Sequence, residues 1–229
     1  TGGGGADGVA TGGGGADGVA TGGGGAGADA MAEALAVLRI ERRLPVPRGD
    51  ADGLVRGNPD AAVTLTVFTD YQCPYCARGE ALVDGILAAR GQDLRVVTRH
   101  LPLTRIHPAA LPAAVAVEAA RLQGKGMELH AALFALGGRA LGELAAAMPE
   151  GSLESPFVPQ ARALGLDLER FARDVDDPDT EARVRADMDL AEQLGVRGTP
   201  AFFFDGREAV EGRSPEAFAA LLDKAQAER

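Results

Sequence analysis

Asp70-Tyr71-Gln72-Cys73-Pro74-Tyr75-Cys76 lies between two unlike neighbours, and the fold follows from them. Before it, Ala62 to Thr69 (Ala-Val-Thr-Leu-Thr-Val-Phe-Thr) is short and rich in β-branched residues, which predicts a strand. After it, Cys76 to Arg90 has helical spacing, with Leu82, Ile86 and Leu87 near one face, and Gly91 ends it. Leu94 to His100 is a second strand candidate. Strand, helix and strand within about 40 residues make a βαβ unit with parallel strands and a right-handed crossover. From Pro108 to Leu194 the chain turns helical and alanine-rich. Breaks near Gly124, Gly137-Gly138, Pro149, Gly165 and Pro178 predict about four to six helices. The end returns to β: Ala201 to Phe204, a tight Asp205-Gly206 turn, then Glu208 to Val210. Ser214 and Pro215 then start a closing helix, with Phe218, Leu221, Leu222 and Ala225 on one face. The order is α/β: βαβ, an all-helical insertion at about 104–197, then ββα.

The chain has two cysteines, both in the quoted stretch, so there is no structural disulfide framework. A strand-to-helix junction puts Cys73 at a helix N-terminus, where unpaired N–H groups and the macrodipole favour a thiolate. Pro74 suits the first helical position, where its missing N–H costs nothing. Cys73 is thus the expected nucleophile and Cys76, three residues on, the resolving thiol. Pro74 and Tyr75 would tune the stability of the thiolate. Two inert buried cysteines are the plainer reading. A structural zinc would need two more ligands from His100, His107 and His130, which form no close-spaced pair, so no metal is expected. His107, before a proline, and His130, within a helical run, read as structural or solvated, and Asp70 reads as a surface or loop residue. Phe202 and Phe204 read as core, and Phe203 as packed against helices from the other face.

The net charge of -10 leaves no basic stripe for nucleic acid or an anionic membrane surface. No apolar run is long enough to span a bilayer. No secretory signal is visible, and with Thr1 as the first residue that says little about compartment. Residues 1–10 and 11–20 repeat Thr-Gly-Gly-Gly-Gly-Ala-Asp-Gly-Val-Ala, and 21–30 is a degenerate third copy. This fits a calcium β-roll motif locally, but rolls repeat every nine residues and this period is ten. Half of the segment is glycine, which predicts a disordered linker. Met31 to Leu44 follows with helical periodicity, stopped by Pro45 and Pro47, and residues 45–60 read as a Pro/Gly/Asp connector. The organisation expected is linker 1–30, helix and connector 31–54, and one domain 55–229.

One further set of motifs carries a family likeness. Gly57-Asn58-Pro59-Asp60-Ala61, the Asp70–Cys76 stretch, His107-Pro108-Ala109, Leu164-Gly165-Leu166-Asp167 and Gly195 to Phe204 together resemble the DsbA family of bacterial thiol-disulfide oxidoreductases. The likeness covers about residues 55–228. It implies a thioredoxin-like fold with an inserted all-helical subdomain, no cofactor and a periplasmic or extracytoplasmic location, and the reading that goes with it is a monomer tethered by the glycine-rich segment. It also implies protein or peptide substrates bearing thiols or disulfides, and a redox partner to reset the dithiol. In that family the proline matching Pro200 is cis and faces the cysteines, the residue matching Thr199 touches the dithiol, and the backbone there binds extended peptide. An isolated absence of other cysteines fits the same oxidising compartment.

The likeness has one departure. Many thioredoxin-like proteins carry a buried acid six residues before the first cysteine, where this chain has Val67. If Val67 is buried, deprotonating Cys76 falls to water or another group. An oxidase is the favoured direction. Pro74-Tyr75 with Thr199 before Pro200 also resembles isomerases and reductases of the same fold, which carry a dimerisation domain larger than residues 1–44 could form. A kappa-type glutathione transferase would usually lack the dithiol, and a peptide-binding, chaperone-like module would not need it.

Overall fold

The computed structural model describes residues 1, 44–47, 53–147, 155–209 and 214–228. The glycine repeat and nearly all of the expected helix at 31–44 lie outside them. Val63–Thr69 forms β2, buried on both faces along its length, which is what its run of apolar and β-branched residues requires of a central strand. It lies mid-sheet in the order β1-β3-β2-β4-β5. The partners are β1 (Leu54–Gly57), β3 (Leu94–His100), β4 (Ala201–Phe204) and β5 (Arg207–Glu208). β2 and β3 run parallel with Val67 beside Thr98, while β4 runs antiparallel to β2 with Val67 beside Phe202. The expected connector at 45–60 therefore needs correction: four of its residues pair antiparallel with β3. A strand of Leu-Val-Arg-Gly with Gly53 before it is too short for a period-2 signal to stand out.

Helix α1 (Pro74–Arg90) crosses from β2 to β3 and shares its sheet face with α8 (Pro215–Ala227). Val63, Leu65, Val67, Phe202, Phe204 and Phe218 fill the space beneath them. Phe218 meets Phe202 and Phe204 edge-on at 4.9 and 5.4 Å. On the opposite face Phe203 packs edge-on to Phe68 at 5.9 Å, above Ala191 and Leu194. Between β3 and β4 lie six helices among the described residues: α2 (Ala110–Arg121), α3 (Gly126–Leu136), α4 (Gly138–Ala146), α5 (Val158–Ala163), α6 (Leu168–Asp176) and α7 (Pro178–Gln193). α2 is their hub, packed against α3, α6 and α7. Its buried alanines let three neighbours approach closely, which accounts for the alanine richness of this stretch. Asp205 and Gly206 both adopt left-handed backbone, as the two-residue hairpin turn requires. The Ser214 hydroxyl accepts from Ala217 N–H at 3.2 Å and caps α8. No helix among the described residues is long and apolar enough to cross a membrane.

Candidate active site

Cys73 is the N-cap of α1, with extended backbone and Pro74 following at the first turn. The turn closes by Cys76 N–H donating to the Cys73 carbonyl at 3.1 Å, which brings the two side chains to one end of the helix. Both thiols are free. The Cys73 thiol donates to the carbonyl of Thr199 across 3.7 Å, and the Thr199–Pro200 bond is cis. Pro200 seats against α1 where Gly79 leaves room, since a Cβ there would lie 3.1 Å from the proline ring. The four residues Cys73, Cys76, Thr199 and Pro200 are thus brought together. Tyr75 stays exposed, with the Arg78 guanidinium stacked over its ring at 4.5 Å. Together with Gly79, Leu82, Pro200 and Phe202 they line a pocket of about 150 Å³. A wider groove of about 620 Å³ runs along Gly195 to Phe202 and reaches Glu208 and Ala209.

Cys76 lies deeper, 1% exposed. Its sulfur accepts from the Asp70 N–H at 3.4 Å. Burial pushes the Cys76 thiol up to about 12, and the Thr199 hydroxyl, the Asp70 N–H and the Thr69 hydroxyl oppose that only in part. Val67 is buried between its Thr98 and Phe202 partners, so no acid lies at the position where relatives of this architecture carry one.

Asp70 lies in the loop that follows β2, as its sequence position suggested, but not at the surface. Its side chain is fully buried. One oxygen accepts from the N–H groups of Gln72 (2.8 Å) and Cys73 (3.2 Å). The other accepts from Leu103 N–H (2.8 Å) and His107 Nδ1 (2.9 Å). An aspartate just ahead of a helix start is a natural acceptor for free N–H groups, and that signal could have placed it. His107 is accordingly a partner of the site loop rather than a solvated residue.

Further contacts escaped the sequence. Gln72 accepts from Ala109 N–H at 2.9 Å and sits under α4, where a Cβ on Gly138 would fall 2.0 Å from the Gln72 carbonyl oxygen. The Gly137-Gly138 break is therefore also a contact with the site loop. Tyr71 is buried and donates its hydroxyl to His130 Nδ1 at 3.0 Å. Burial, with Glu80 and Glu118 nearby, holds the phenol well above its ordinary range, so it keeps its proton. His130 is buried rather than solvated, and burial lowers its pKa, so Nδ1 accepts from Tyr71 while Nε2–H faces Glu80 at 3.1 Å. Burial resists charge on Glu80, but His130 and then Arg56, at 2.6 Å, hold its carboxyl below the usual range. These side chains come from four elements, and no local pattern brings them together.

A family model described as thioredoxin matches residues 50–224. Among solved structures, a thioredoxin-like oxidoreductase from Silicibacter pomeroyi DSS-3 is 32% identical, covering 79% of this chain and 95% of its own, with a TM-score of 0.63. The oxidoreductase DsbA from Xylella fastidiosa shares the fold at 21% identity, covering 82% of this chain and 92% of its own, with a TM-score of 0.57. Among curated proteins, the Na(+)/H(+) antiporter NhaA 1 of Mycobacterium sp. (strain KMS) is 38% identical over 156 residues, which are 67% of this chain and 23% of the antiporter. The chain spans about a quarter of the length of the curated relatives it matches.

Proposed function

Because this chain belongs to the thioredoxin family, we propose that it is a protein thiol-disulfide oxidoreductase, acting as a DsbA-like oxidase with Cys73 as the exchanging sulfur and Cys76 as the resolving one. The observation that carries the reading is the Cys73 sulfur at the N-terminus of α1, 3.7 Å from the carbonyl that precedes cis Pro200. A substrate thiolate attacks Cys73 in the oxidised protein, the Cys73–Cys76 bond breaks, and its electron pair leaves on Cys76. A second substrate thiolate then attacks the substrate sulfur, and Cys73 leaves as a thiolate. The substrate gains a disulfide and the protein gains two electrons, which a redox partner removes. Thr199 and Pro200 are assigned the extended peptide, and Pro74 and Tyr75 the tuning of the dithiol. The proposed site of action is extracytoplasmic, where disulfides persist.

One observation favours the reductive direction as a second reading. The Asp70 side chain takes up the Cys73 N–H, a helix-start donor that would otherwise be open to the sulfur. One backbone donor fewer at the exchanging sulfur points toward a less oxidising disulfide. Equilibrating the dithiol with glutathione buffers and counting alkylated thiols by mass separates the two. An oxidase is expected near about -120 mV, and a thioredoxin-like reductase would lie near about -270 mV.

A further inference from the structure

We infer that the hydroxyls of Thr69 and Thr199, with the N–H of Asp70, form a three-donor hole that holds the Cys76 sulfur as a thiolate during disulfide exchange, in place of the acid that Val67 excludes. This deepens the oxidoreductase reading and rests on it. Negative charge must appear on Cys76 in either direction of exchange, yet the residue is all but buried, so water can stabilise little of that charge, and Val67 offers it no proton acceptor. The Asp70 N–H already points at it from 3.4 Å. The Thr69 and Thr199 hydroxyl oxygens are both buried, and neither meets the geometry of a hydrogen bond to any group among the described residues. Buried hydroxyls are nearly always paired, so two orphans beside one sulfur call for a reason. The reason is that their acceptor is charged only in passing. A thiol accepts weakly and a thiolate strongly, and both hydroxyls favour the ionised form of Cys76.

The donors act on the crossing of the barrier rather than on the resting protein. Burial keeps Cys76 a thiol at neutral pH, so the hole is empty of charge until the Cys73–Cys76 bond breaks. At that moment the incoming thiolate bonds to Cys73, the electron pair goes to Cys76, and three donors set in advance receive it. Water then protonates Cys76. In the reverse direction Cys76 gives its proton to water and, from the same hole, attacks the Cys73 sulfur of the mixed disulfide, whose bond to the other sulfur breaks and releases that partner as a thiolate.

The test follows the oxidised full-length protein as excess reduced glutathione attacks it at pH 7, with acid quenching and mass analysis. Thr69→Val keeps the shape and removes the donor, and Thr69→Ser restores the hydroxyl. Thr64→Val is the control, because Thr64 lies on the same strand with a buried hydroxyl likewise unpaired, away from the dithiol. The expected result is a rate about tenfold lower for Thr69→Val, near wild type for Thr69→Ser, and unchanged for Thr64→Val. The equilibrium potential should move far less than the rate. Should Thr69→Val not fold, Thr199→Val against Thr199→Ser makes the same comparison. A reactive wild type with an equally fast Thr69→Val, or an equally slow Thr64→Val, overturns the inference alone. A wild-type protein whose disulfide never forms or reacts overturns the parent reading and the inference with it.

Discussion

The carboxylate of Asp70 is out of reach of water and takes hydrogen bonds from three backbone N–H groups and from His107, on both sides of the dithiol loop. Its main chain meanwhile donates to Cys76. One residue therefore ties the end of β2, the Cys73 turn and the Leu101–His107 loop together. Replacing it with alanine leaves four donors facing a gap. Asp70→Ala is expected to cost about 2–4 kcal/mol in urea unfolding. Asp70→Asn should fall between it and wild type, because an amide has one acceptor oxygen and sets its NH₂ against the remaining donors. An Asp70→Ala protein as stable as wild type would mean that water replaces the carboxylate at little cost.

Elements are joined by a second buried carboxylate. Glu118 on α2 meets His100 on β3 at 3.1 Å, Arg121 on its own helix at 2.6 Å and Arg183 on α7 at 3.0 Å. Burial opposes its charge, but His100 and then Arg121 win and hold the carboxyl at about 2. The group is lowered from its unfolded value of 4.5, so its contribution is present above pH 4.5 and is lost as pH falls toward about 2. Wild type should exceed Glu118→Gln in stability at pH 6, and the gap should narrow at pH 3. Denaturant unfolding at the two pH values checks this, and a gap that does not depend on pH would remove Glu118 from the acid transition.

Across the whole molecule, what was legible had a local cause. Strand β2 and helix α1 show in β-branched and helical spacing, and Cys73 at their junction follows from chain order alone. The Asp205-Gly206 hairpin and the Ser214 cap are likewise local chemistry. β1 was missed because four residues carry no period, and its place is decided by pairing with β3 some 40 residues away. Asp70 was misplaced because its burial comes from the Leu101–His107 loop folding over it. Tyr71, His130 and Glu80 could not be grouped, since the helical insertion alone brings α3 against the site loop and α1. Val67, read as the place where this chain departs from its relatives, is buried, so no carboxylate stands there beneath Cys76.

The division of labour between the two cysteines is most directly tested by trapping. A protein disulfide is mixed with the full-length Cys76→Ser and Cys73→Ser variants, quenched in acid and weighed. The expected result is a stable mixed disulfide on Cys73 in Cys76→Ser and none in Cys73→Ser, because Cys73 is the less buried thiol and the one that reaches the carbonyl before Pro200, while Cys76 lies beneath it. Adducts forming equally in both variants, or in neither, would contradict the assignment of Cys73 as the exchanging sulfur.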